Sequence, residues 1–137
     1  MNRNFSDQAN QFFTKYPQEI YKKNTVILQA DQEPQKVLFL ETGFVKVYTV
    51  SETGDALILH VFKSGAFFPM MWGLNDAKND YYYESMTDIK IRVAPKDEVQ
   101  QFLKENPQVL YHLTSRLLYG IQGLMERMEY LVLDDAY

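Results

Sequence analysis

The sequence predicts a mainly β fold with flanking helices, a sandwich or jelly-roll barrel followed by one long helix. Three observations carry this. Between residues 25 and 94, short apolar or alternating segments recur, separated by turn signals about every 8–12 residues. Aromatic residues make up 15% of the chain, with ten Tyr and nine Phe, which suits pleated, half-buried surfaces. After Pro95 the apolar period turns helical and stays so almost to the C-terminus.

The elements follow in order. Residues 4–16 read as a short helix with Ala9, Phe12, Phe13 and Tyr16 near helical spacing, Asn4 or Ser6 as its cap and Pro17 as its stop. TVILQ from Thr25 is a short strand, and ADQEPQ with Pro34 is a turn. VLFLE (37–41) is apolar enough for a buried strand, which Gly43 ends. In FVKVYTV (44–50), Phe44, Lys46, Tyr48 and Val50 fall on one side and Val45, Val47 and Thr49 on the other. Ser51 to Asp55 is a hairpin turn with Gly54 free to take a positive φ, and ALILHVF (56–62) is the returning strand. Lys63-Ser64-Gly65 turns again. YYYESM (81–86) and IKIRVA (89–94) are the last strands. Pro95 opens a helix, KDEVQQFLKE, with its acids early, where the helix dipole favours them. Asn106-Pro107 starts the last helix, which runs to about Leu133.

Composition narrows the function. At 137 residues the chain is the size of a single domain, and a hydrophobic fraction of 46% supports a real core. A formal net charge of −4 disfavours unaided binding to DNA or an anionic membrane. With no Cys, disulfides, Cys-ligated metal and thiol catalysis are excluded, and no cofactor is expected. The polar N-terminus has no signal-peptide pattern, and no run approaches the ~20 apolar residues of a membrane span. A cytoplasmic protein is expected.

The most unusual stretch is Gly65 to Met86, GAFFPMMWGLNDAKNDYYYESM, with the only Trp, three of the six Met and three consecutive Tyr. Phe67, Phe68, Met70, Met71 and Trp72 either line a pocket for an apolar or aromatic effector or fill the barrel as core. Tyr81, Tyr82 and Tyr83 cannot all face one way on a strand: either Tyr82 points inward or Tyr81 and Tyr83 do. In the last helix Leu110, Leu117, Leu124 and Leu131 fall seven residues apart, with Thr114, Ile121 and Met128 between them. This seam fits either packing within its own domain or a parallel homodimer. Gly120 and Gly123 weaken the helix, which suits a close-packed neighbour.

The order of the punctuation is more specific. An Asp31 turn is followed by VLFLETG ending at Gly43, VKVYTVSETG ending at Gly54, ALILHVFKSG ending at Gly65 and then AFF, and later by APKDEVQQFLKENPQVLYHL. Over about residues 20–135 this resembles the N-terminal sensor domain of Crp/Fnr-type bacterial transcription regulators. The resemblance implies a cyclic-nucleotide-binding jelly roll (a double-stranded β-helix) with a long dimerisation helix. It implies an N-terminal helical segment over 1–18, a barrel over 19–105 and a dimer helix over 106–137 carrying Leu110, Leu117, Ile121, Leu124, Met128 and Leu131. It also implies a homodimer that reaches DNA only through a helix-turn-helix domain, expected in a longer product after Leu133.

The family's ligand anchors are replaced. Nucleotide-binding members follow the Phe with Gly-Glu, whose Glu holds the ribose hydroxyl; here Pro69 and Met70 stand there. The family's phosphate-pairing Arg-Ser-Ala falls on Asn79, Asp80 and Tyr81. A phosphate buried there would lack a cation, and Asp80 would repel it. The resemblance therefore implies an effector-sensing domain that does not respond to cyclic AMP or cyclic GMP. Phe67, Phe68, Met70, Met71, Trp72, Asn79, Asp80 and Tyr82 are its candidate pocket, for a small apolar or aromatic effector. Two other readings stand beside it: a stand-alone small-molecule or protein-binding jelly roll, and a cupin-like metalloenzyme. No HExxH, phosphate loop or nucleophile elbow supports catalysis. His60 and His112 have no local ligand motif, and His60 is the lone His of the barrel segment, against the His clusters a cupin needs.

Overall fold

The computed structural model describes the backbone of residues 2–136 and the side chains of residues 7–133. The chain divides into two units, Met1–Phe102 and Leu103–Tyr137. The first holds α1 (Asn2–Phe13), β1 (Gln18–Tyr21), β2 (Val26–Leu28), β3 (Val37–Thr42), β4 (Val45–Val50), β5 (Ala56–Phe62), β6 (Phe67–Phe68), α2 (Met70–Asn75), β7 (Tyr82–Ser85) and β8 (Ile89–Ala94). α3 (Lys96–Glu105) begins in it, and α4 (Pro107–Ala136) lies in the second.

The eight strands form two four-stranded antiparallel sheets, β1-β8-β3-β6 and β2-β7-β4-β5. Consecutive strands mostly enter opposite sheets, the interleaving that makes a jelly roll. Between the sheets lies a core of Leu28, Leu40, Val45, Val47, Phe68, Tyr83, Ile89, Ile91 and Val93. β4 shows the sequence logic: Val45 and Val47 are buried and alternate with half-buried Lys46 and Tyr48. The β4–β5 hairpin closes with Ser51 N–H on Asp55 O at 2.8 Å, and Gly54 takes φ +89°.

A second apolar layer lies outside the first sheet. β3 and β6 pair Phe39 with Phe67 and Leu38 with Phe68. Alternation sends Phe68 between the sheets and Phe67 to the other face. There Phe13 of α1 stacks on Phe39 at 4.5 Å and meets Phe67 edge-on at 5.0 Å. Phe12 stacks on Phe102 of α3 at 4.2 Å, so both helices lean on aromatic rings. The end of α1 is held by Arg92, which donates to Tyr16 O at 3.0 Å and pairs with Glu41 at 2.8 Å.

Several elements differ from the sequence reading. α1 already includes Asn2, so neither Asn4 nor Ser6 stands at its cap position; their side chains lie outside the described residues. The helix stops at Phe13, before Pro17. β1 was not foreseen, because four residues with Ile20 turned to solvent give no apolar alternation. α2 was not foreseen either, its six residues being too few to show a helical period. α4 starts as expected, with Asn106 O accepting from Val109 and Leu110 N–H, and continues past Leu133 to Ala136.

One turn is tightly specified. Gly43 has φ +96°, and a Cβ there would lie 2.6 Å from Asp88 O and 2.7 Å from Ile89 Cγ2. Asp88 O is backbone and cannot move aside without shifting β8. Gly43→Ala should cost on the order of 2–3 kcal/mol and lower the melting temperature clearly, while Gly54→Ala, with open space around it, should cost less. Equal melting temperatures for the two variants would contradict this reading.

Candidate functional site

The stretch from Gly65 to Met86 is split by the fold. β6 leads into α2, whose N-cap is Pro69 and whose C-cap Asp76 takes the left-handed conformation at φ 57°. α2 is fastened to α3 at three points. Gln100 Nε2 donates to Gly73 O at 2.8 Å, Lys96 pairs with Asp76, and the Lys96 ammonium sits 4.5 Å over the Trp72 ring. The sequence reading singled out neither Lys96 nor Gln100, since contacts made across 20 or more residues leave no local pattern.

The candidate residues do not gather around one cavity. Phe68 reaches the barrel interior, where its ring is part of a stack with Phe62 at 5.0 Å and Tyr83 at 5.3 Å. Phe67 is buried on the α1 side instead. Met70 is half-buried, with its sulfur near Gly73, and Met71 is 68% exposed. Trp72 is covered by Lys96, and Asp80 is exposed. Tyr82 is a correction: it lies outside the barrel, stacked on Tyr48 at 5.3 Å, while Tyr83 takes the inward place and Tyr81 packs partly against the core. Burial pushes the Tyr83 phenol up to about 12.

Asn79, the position on which the sequence resemblance places the family's phosphate-pairing Arg, is only 5% exposed, and its side chain is committed to the backbone. Nδ2 donates to Gln29 O at 3.0 Å and to Tyr81 O at 2.9 Å, and Oδ1 accepts from Tyr81 N–H at 3.3 Å. Asp31 N–H donates to Asn79 O at 3.1 Å. The residue clamps the turn after β2 to the entry of β7. Nearby Lys78 lies on the surface, paired with Asp31 at 3.0 Å, and that carboxylate raises its pKa. Ser85, fully buried, plays a similar part at the other end of β7, donating to Lys22 O at 2.7 Å and accepting from Thr25 N–H at 2.9 Å.

Among the described residues no group of three or more His, Cys, Asp or Glu could hold a metal ion, and no helix is long and apolar enough to cross a membrane. His60 is exposed on β5, 4.8 Å edge-on to Phe62, and His112 is half-buried on α4.

The family profile of the cyclic nucleotide-binding domain matches residues 18–106. The chain belongs to this family. It is 30% identical over 106 residues to the global nitrogen regulator of Nostoc sp., covering 73% of this chain and 48% of that protein. It is 26% identical to the global nitrogen regulator of Synechocystis sp., covering 73% and 47%. The chain thus spans about half the length of these relatives. The fold is that of the Thermus thermophilus catabolite activator protein, with a TM-score of 0.74 at 14% identity over 91% of this chain and 59% of that one.

Asn79→Ala would strip Gln29 O and Tyr81 O of a donor. It should destabilise the domain by about 1–3 kcal/mol, read as a fall in the urea midpoint. An unchanged midpoint would mean that water replaces the amide at no cost.

Proposed function

We propose that this chain is the effector-sensing and dimerisation part of a cytoplasmic Crp/Fnr-type transcription regulator that does not respond to cyclic AMP or cyclic GMP. The barrel, residues 19–105, is the sensor, and residues 106–137 are the dimer helix. DNA is contacted by a domain outside this chain, as the greater length of the nitrogen regulators suggests. The observation that carries the reading is Asn79. A cyclic phosphate needs a cation or several aligned donors in a site shielded from water. Here the residue in that place is neutral, buried and occupied by backbone partners. The Phe62–Phe68–Tyr83 stack also fills the adjoining interior. An apolar or aromatic effector would have to enter by displacing one of these rings.

Calorimetric titration with cyclic AMP and with cyclic GMP should show no micromolar binding. A micromolar isotherm for either would place a phosphate site where Met70 and Asn79 leave none, and would overturn this half of the proposal.

Dimerisation is supported by α4 itself. Leu117, Ile121, Leu124, Met128 and Leu131 are all exposed along one row of the helix. A 30-residue helix carrying such a row is stable in water when the row is covered. A second copy of the same helix covers it symmetrically. Leu117→Glu would then bury a carboxylate in each half of the seam, at a cost of several kcal/mol apiece, and convert a sedimenting dimer to monomer. A sedimentation profile identical to that of the parent chain would remove Leu117 from any interface.

A further inference from the structure

β1 and β2 are consecutive in sequence but lie at the edges of different sheets, one paired with β8 and the other with β7. The barrel is therefore open between them. A cleft of about 320 Å³ occupies the opening, near the lower end of the size range of small-molecule sites. Its floor is aliphatic: Ile27, Leu28, Leu38, Ile91 and Val93, all part of the barrel core or packed on it. None of the candidate residues of the β6–β7 stretch lines it.

The polarity of β1 is inverted at this cleft. Ile20 points to solvent, 63% exposed, whereas Glu19 and Tyr21 lie on the inward side among the lining residues. An edge strand that only completed the core would place its apolar side chain inward. The Tyr21 hydroxyl donates to Glu19 Oε2 at 2.7 Å, and this bond pushes the phenol up to about 12. Tyr21 so fixes the carboxylate at the wall of an apolar cleft. Glu33, on the turn after β2, adds a second carboxylate, and Lys36 supplies the one cation among the lining residues. An acid aimed into an aliphatic cleft complements a cation carried on an apolar body.

We propose that this cleft binds a small amine with an apolar body, the body lying on Ile27, Leu38 and Val93 and the ammonium on Glu19. The site shares no residue with the β6–β7 stretch, so its failure leaves the cyclic-nucleotide reading untouched.

The probe is 4-phenylbutylamine, titrated into the isotopically labelled chain and followed by amide chemical shifts. Saturable shifts should appear at Ile27, Leu28, Leu38, Ile91 and Val93. 4-Phenylbutyric acid, with the same body and opposite charge, should bind about tenfold or more weakly, a difference of roughly 1.4 kcal/mol. Glu19→Gln should erase the preference for the amine. Ile27→Trp, which fills the cleft from the edge strand β2, should abolish binding of both compounds. Equal binding of amine and acid to the parent chain would overturn the proposal without recourse to a variant. Shifts confined to residues 65–86, or no shifts at millimolar amine, would overturn it as well.

Discussion

The interior of the barrel is held by three nearly parallel rings. Phe62 comes from the end of β5, Phe68 from β6 and Tyr83 from β7, and their planes lie within 18° of one another. β5 and β7 belong to one sheet and β6 to the other, so the stack bolts the two sheets together where the cassette between β6 and β7 begins and ends. Its position depends on alternation along a strand of only two residues. Phe68 must face inward for the stack to form, and Phe67 then must face outward, where it joins Phe13 and Phe39 under α1. One slip of register at β6 would exchange the two rings and undo both layers.

On the residue correspondence that the resemblance implies, the same stretch carries Asn79 where nucleotide-binding members of the family carry Arg. An arginine can be buried only with an anion to answer it, so an Arg at the position of Asn79 would favour an open, solvated cassette until ligand arrived. Asn79 removes that requirement. Its amide is satisfied by Gln29 O and Tyr81 O, which draws the turn after β2 against the start of β7. The Lys96–Trp72 contact and the Gln100–Gly73 hydrogen bond then fix α2 against α3 on the other side. The cassette is clamped at both ends by residues of the chain itself.

What the sequence revealed follows the range of the interactions. The strands with a clear period, such as Val45 and Val47 against Lys46 and Tyr48, were legible because one face is apolar over several residues. So were the helix starts at Pro95 and Asn106-Pro107, which rest on neighbours in the chain. β1 and α2 were not, because four residues with an inverted pattern and six residues of mixed polarity give no period to read. The three tyrosines could be divided only into two alternatives. The choice of Tyr83 depends on where Phe62 and Phe68 lie, and neither is adjacent in sequence. Of the candidate pocket residues, Phe67 and Tyr82 turn away from the barrel interior: alternation says that one residue of each neighbouring pair leaves the barrel, but not which. The inward Glu19 had a faint signal, Ile20 between two polar neighbours, that becomes meaningful only once β1 is known to be an edge strand.

An interior that is already packed changes what an effector can do. A ligand moves a conformational equilibrium only by the difference in its affinity for the two states. In a barrel with an empty, polar cassette, most of the binding free energy can be spent on ordering that cassette. Here the cassette is ordered by Asn79 and the interior is filled by Phe62, Phe68 and Tyr83, so an entering molecule must first displace a buried ring. Removing a large aromatic ring from such a site costs roughly 3–5 kcal/mol when nothing refills it. An effector would therefore need to replace the lost contacts nearly atom for atom, which only a flat, apolar molecule could do. Apart from that route, the surfaces open to a ligand or partner are the cleft between β1 and β2 and the exposed row of α4, and any dimer depends besides on the concentration of the chain itself.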